Sequence, residues 1–148
     1  MIQAAFGWYD GHLHVFETPY GEFGAPDSEL GHRSEKPVTL EQVAPAEGSK
    51  FRYVYDFGDD WDHEILVEKL HENQPGTIYP RCTGGKRAAP PEDCGGVWGY
   101  QELLATLADP THPNHKAQLE WLGLDSPDQF NPAEFNKHEV TENLPHLR

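Results

Sequence analysis

The run from Phe51 to Glu68 constrains the fold more than any other stretch of the chain. Rings and branched side chains alternate there with polar residues, and a period of two belongs to a half-buried strand rather than a helix. Folding the run at a three-residue loop, Gly58-Asp59-Asp60, sets Phe57 opposite Trp61, Tyr55 opposite His63, Tyr53 opposite Ile65 and Phe51 opposite Val67. This register gathers the rings on one face and leaves Arg52, Val54, Asp56, Asp62, Glu64 and Leu66 on the other. A slip of one residue would mix the two sets, so burial of one face fixes the pairing. A two-residue loop facing Asp56 with His63 is the alternative; the first is preferred, although such loops favour Gly where Asp60 stands.

Around the hairpin the chain reads as follows. Residues 1–8 resemble the end of a helix, with Ile2, Ala5 and Phe6 on one face and Gly7 disfavouring its continuation. His12-Leu13-His14-Val15-Phe16 alternates as a strand, and residues 17–37, rich in Gly, Pro, Glu and Ser, read as a long loop. Val38, Leu40 and Val43 mark a helical turn closed by Pro45 and Gly48. From Pro75 to Gly99 four prolines and six glycines predict an ordered irregular loop. Tyr100, Leu103, Leu104 and Leu107 then follow the spacing of a buried helical stripe, ended by Asp109-Pro110. A second helix starts near Pro113, with His115, Leu119 and Leu122 on one face, and stops at Gly123. Asn131-Pro132-Ala133-Glu134 has the order of a capped helix start, and Phe130, Phe135, Val140 and Leu144 are available to dock that last helix.

A chain of 148 residues is the size of one domain, and its 4 Trp, 6 Tyr and 7 Phe can supply the core. The expectation is a single domain over residues 1–148, α+β in class, with a helical C-terminal third. No run is long and apolar enough for a membrane span and no secretory pattern opens the chain, which predicts a cytoplasmic protein. Its 25 acidic residues against 11 Lys and Arg give a formal charge of −14, a field that opposes nucleic acid and suits a cation or a basic protein partner. Arg81, Lys86 and Arg87 form the main basic cluster, enough for one anionic group but not for a nucleic-acid groove.

Two constellations carry potential chemistry. Cys82 and Cys94 are the only cysteines, and with His112 and His115 they read C-x11-C-x17-H-x2-H. Two thiolates and two imidazoles suit tetrahedral zinc. A structural zinc contributes about 10–16 kcal/mol in small peptides against about 3 kcal/mol for a disulfide over such a span, so metal outranks a disulfide if either forms. Reduced, unliganded thiols are the remaining alternative, with His115 as a histidine at the core edge. The second constellation is the hairpin tip, where Asp56, Asp59, Asp60 and Asp62 crowd beside His63 and Glu64. Crowded carboxylates require a cation, a proton or a basic neighbour. With His12 and His14 from an adjacent strand they would make a metal centre of hydrolytic type. Alternatively, Asp56 or Asp59 binds loop amides or Arg87, and the tip is a plain turn. No P-loop, Rossmann or nucleophile-elbow pattern is present.

Several of these stretches together resemble the plasmid ORF-3-like family, also known as an insertion-element passenger protein. They are Tyr55-Asp56-Phe57-Gly58-Asp59 with Trp61 and His63-Glu64-Ile65; Gly7-Trp8 with His12-Leu13-His14 and Phe16; Tyr79-Pro80 with Cys82; Arg87-Ala88 with Pro90-Pro91-Glu92-Asp93-Cys94-Gly95-Gly96; and Gly99-Tyr100. The similarity spans roughly residues 1–124, leaving 125–148 as a helical extension. It implies a roll-like, mostly antiparallel α+β domain with helices packed on the sheet, and it implies no established reaction. Family members carry a strand and most of a helix before the segment matching Met1, so an uncovered sheet edge and self-association are expected if the chain starts there. The function read from the sequence is a non-catalytic accessory or interaction module with an acidic surface; the alternative is a metal-dependent hydrolase.

Overall fold

The structure, a computed structural model, describes residues 1–145. These form two compact units, one of Asp10–Thr77 and one of Met1–Tyr9 with the chain from Ile78 onward.

The first unit is built on a five-stranded sheet. Its strands are β1 (His14–Thr18), β2 (Gly21–Gly24), β3 (Arg33–Ser34), β4 (Lys50–Tyr55) and β5 (Trp61–Leu66), in the order β3-β2-β1-β4-β5. Neighbours are antiparallel except β2 and β3. The segment expected to be one long loop, residues 17–37, therefore holds the end of β1 and two more strands. Pro19-Tyr20 turn the chain from β1 into β2, with Thr18 Oγ1 donating to the Gly21 carbonyl at 2.8 Å. Gly and Pro at the turns dominated the composition there and hid strands of only four and two residues.

The 51–68 hairpin forms with the expected faces, but two residues out of the expected register. Tyr55 faces Trp61, Tyr53 faces His63 and Phe51 faces Ile65. A shift of two preserves side-chain parity, so Phe51, Tyr53, Tyr55 and Trp61 stay on their predicted face, while Phe57 falls in the tip and is exposed. The cause is the tip: it uses Asp56 to Asp60 rather than three residues, with Asp56 (φ 56°) and Asp60 (φ 55°) both left-handed. Phe51, Tyr53 and Tyr55 are buried, Tyr55 to 1% exposure. Burying a large apolar side chain of this kind stabilises by roughly 1.5–3 kcal/mol. The opposite face is not uniformly polar, because Val54 faces Val15 and both are buried. A single turn, α2 (Leu40–Val43), starts from a capping box in which Thr39 and Gln42 exchange side-chain and backbone bonds.

The second unit opens with α1 (Ile2–Phe6), ended by Gly7 in the left-handed conformation. Trp8 is buried and its indole N–H donates to the Pro90 carbonyl at 2.9 Å. After an irregular stretch come α3 (Gly96–Ala108), which buries Leu103 and Leu107, and α4 (His115–Leu122). The last helix, α5 (Lys137–Asn143), begins later than Asn131 predicts. Asn131 caps only a turn, accepting from Ala133 N at 3.0 Å, while Asn136 accepts from His138 N and Glu139 N and is the true N-cap. Both sites present an Asx followed by amides, and the sequence alone does not rank them. Among the described residues no helix is long and apolar enough to cross a membrane. A mostly antiparallel mixed sheet with separate helices makes the fold α+β.

Candidate functional site

The hairpin tip is a closed hydrogen-bonded knot. An aspartate tolerates the left-handed region because its short carboxylate bonds nearby backbone amides. Asp56 does so: Oδ1 accepts from Gly58 N at 3.0 Å and Asp59 N at 3.3 Å, and Asp60 N donates to the Asp56 carbonyl at 2.6 Å. The Asp56 backbone is held by the residue just before β1, donating to the Leu13 carbonyl at 2.9 Å. Only 9% of Asp56 is exposed. Its other oxygen, Oδ2, faces His12 Nε2 at 3.7 Å, and the His12 ring stands edge-on to Tyr55. The Tyr55 hydroxyl in turn accepts from Gly11 N at 3.1 Å. Gly11, His12 and Leu13 are thus each tied to the tip by a different group.

The other predicted residues are held elsewhere. His14 lies against Phe16 and Tyr53, its Nε2 2.8 Å from Glu35 Oε2 and its Nδ1 3.6 Å from Asp10 Oδ1. His63 Nδ1 is 3.0 Å from the Tyr53 carbonyl. Asp62 and Glu64 point to the opposite face. There Arg52 donates to Asp62 through Nε at 3.0 Å and Nη2 at 2.6 Å, and to Glu17 through Nη1 at 2.6 Å. The Arg52 hydrogen bond holds the Asp62 carboxyl below the ordinary carboxylate range, and the Asp62 hydrogen bond raises the guanidinium in return. Lys50 pairs with Glu64 at 3.1 Å. Among His12, His14, Asp56, Asp59, Asp60, Asp62 and His63, no three bring ligand atoms within 4.8 Å of one another. Only the His12–Asp56 pair survives from the expected His/Asp centre. Glu35, the partner of His14, was missed because it falls in the segment read as loop and contacts His14 across 21 positions of sequence.

Cys82, Cys94, His112 and His115 belong to the helical unit. Cys82 Sγ contacts the Gly84 carbonyl at 3.5 Å, and the cysteines are not bonded to each other. His115 Nδ1 is 2.9 Å from the Thr106 carbonyl, and His112 Nδ1 accepts from Asn114 N at 3.2 Å. No three of these four bring ligand atoms within 4.8 Å of one another.

Comparison with known proteins agrees with the fold and with the motif set. The family model described as plasmid pRiA4b ORF-3-like protein matches residues 1–139. The uncharacterized protein y4hQ of Sinorhizobium fredii is 42% identical over 126 residues, 83% of this chain; the chain spans 64% of that relative's length. A crystal structure of a protein of unknown function, MM3350 from Methanosarcina mazei Go1, is 40% identical with a TM-score of 0.79, over 94% of this chain and 77% of that one. With the Tyr55–Asp59 tip, the mostly antiparallel sheet and the 1–139 match in place, the chain belongs to the plasmid pRiA4b ORF-3-like protein family.

Proposed function

We propose that the chain is a non-catalytic interaction module whose acidic surface engages a basic protein partner. The observation that supports this reading is the structural use of the hairpin-tip carboxylates. Asp56 closes its own loop, while Asp62 and Glu64 are paired with Arg52 and Lys50 on the far face. A hydrolytic centre needs those groups to converge on one point with a cation or nucleophile between them. The surplus of 25 acidic over 11 basic residues gives a field that attracts clustered Lys and Arg. The competing reading, a metal-dependent hydrolase, rests on the His12–Asp56 pair, in which a carboxylate faces an imidazole at 3.7 Å.

The test sets the two readings against each other. Binding of a Lys/Arg-rich peptide is measured by calorimetry while ionic strength rises from about 0.05 to about 0.5 M, a range over which screening shortens severalfold. Model phosphoesters and esters are assayed with Mg²⁺, Mn²⁺ and Zn²⁺ for the native chain and for His12→Ala and Asp56→Asn. Salt-sensitive binding, with equal background hydrolysis in all three proteins, is the expected result. Metal-dependent turnover that disappears in both variants would establish the hydrolase instead.

A further inference from the structure

A cleft of about 460 Å³ lies within the helical unit, in the size range of small-molecule sites. Its apolar part includes Phe130, Phe135 and Val140, along with Phe6 and Pro90. The Phe135 ring packs so closely on the loop that a Cβ at Gly85 would meet its Cζ at 2.4 Å. That glycine brings the following residues, Lys86 and Arg87, to the lining of the cleft. Both are exposed, and neither makes an ion pair among the described residues. Arg87 holds φ 69°, a conformation L side chains rarely adopt, and the next amide, Ala88 N, is fixed by the Pro132 carbonyl at 3.1 Å.

Asn143 lines the cleft, as do three side-chain amides whose orientation is fixed: Gln129, Asn131 and Asn136. Each uses its carbonyl oxygen to accept backbone N–H groups. Gln129 Oε1 takes Asp125 N at 2.6 Å and Ser126 N at 3.2 Å, Asn131 Oδ1 takes Ala133 N, and Asn136 Oδ1 takes His138 N and Glu139 N. Backbone N–H groups can only donate, so these bonds fix the orientation of each amide and leave its NH₂ group as the half able to serve a ligand. The polar lining is therefore rich in donors. Glu134 and Glu139 are the acidic residues of the same lining. Two acids against two cations leave no net charge, which disfavours a polyanion such as a nucleoside triphosphate.

We propose that this cleft binds a small monoanionic organic acid, its apolar body on Phe130, Phe135 and Val140 and its carboxylate held by Lys86, Arg87 and the side-chain amides. The site shares no residue with the hairpin tip, so its test is independent of the interaction reading. The experiment is an NMR titration of the full chain with 1-naphthoate and, as a neutral isostere, 1-naphthamide. Shift changes by naphthoate are expected at cleft residues, with the Lys86→Gln/Arg87→Gln variant weakening naphthoate about tenfold or more through lost charge-assisted bonds. Naphthamide affinity should stay within about twofold in that variant, since its contacts are apolar and neutral. The proposal is overturned if naphthoate does not bind at millimolar concentration or binds no tighter than naphthamide. It is equally overturned if naphthoate binding is indifferent to the double variant, or if the shift changes fall on the apolar pocket beside Phe16 and Phe51 instead.

Discussion

Between Asp10 and Thr77 backbone groups pair strand to strand along ladders, whereas from Ile78 to Gly95 the chain has neither helix nor strand. In the sheet unit, alternation alone tells each side chain which face to take, and buried rings hold the result. In the irregular stretch no period exists, and single bonds do that work: Cys82 N to Thr141 Oγ1 at 3.0 Å, Ala88 N to the Pro132 carbonyl, and the Pro90 carbonyl to Trp8. Where that stretch runs into α3, a close backbone approach replaces side-chain area. A Cβ at Gly99 would lie 2.0 Å from the Cys94 carbonyl oxygen, closer than any real contact. The comparison teaches that one unit is specified by what its side chains bury, the other by where side chains are missing.

The strongest way to break that contrast is Tyr55→Ala. Tyr55 is 1% exposed and also accepts from Gly11 N, so its loss should cost about 3–5 kcal/mol in urea or thermal unfolding. A cost below about 1 kcal/mol would mean the buried face does not hold the sheet unit. Gly99→Ala is the matching test of the irregular unit. In an ordinary helix interior this change stabilises by up to about 1 kcal/mol. Inside α3 it should instead destabilise by about 2 kcal/mol or more, because the obstructing atom is backbone and cannot rotate away. A stabilised Gly99→Ala protein would show that the approach to Cys94 is not required.

The smallest effect sharpens the comparison at the exposed edge of the sheet unit. The Asp62 carboxyl sits below its ordinary range because of Arg52. Its contribution is therefore present above the unfolded carboxylate pKa, about 3.9, and is lost as pH falls through the lower folded value. Denaturation of native and Asp62→Asn proteins should differ slightly near neutral pH and converge in acid. Because both partners are half exposed, the neutral-pH difference should also shrink with salt. A gap that widens in acid would reverse the sign and reject the assignment.

Much of this was legible in the residues. The faces of β4 and β5, the helices carrying Leu103 with Leu107 and Leu119 with Leu122, and the stop at Gly123 all follow from periodicity and capping. Strands β2 and β3 were not legible, since four- and two-residue strands flanked by Gly and Pro carry too little pattern to outweigh their turns. At the candidate site, the sequence displayed the crowd of aspartates and allowed Asp56 a role in binding loop amides. It gave no means of knowing that Asp62 faces Arg52 while Asp56 faces His12.

Composition and alternation by themselves determined the hairpin's two faces, the buried set of rings and the strong negative charge, because hydrophobic burial and net charge are sums over local choices, while the class of fold came with the family resemblance. Tertiary structure alone decided the hairpin register, the pairing of His14 with Glu35 and the division of the tip's carboxylates between two faces. Those depend on which backbone groups meet across distant strands. A hydrogen bond of 2.8 Å between residues far apart in sequence leaves no trace in the order of either neighbourhood.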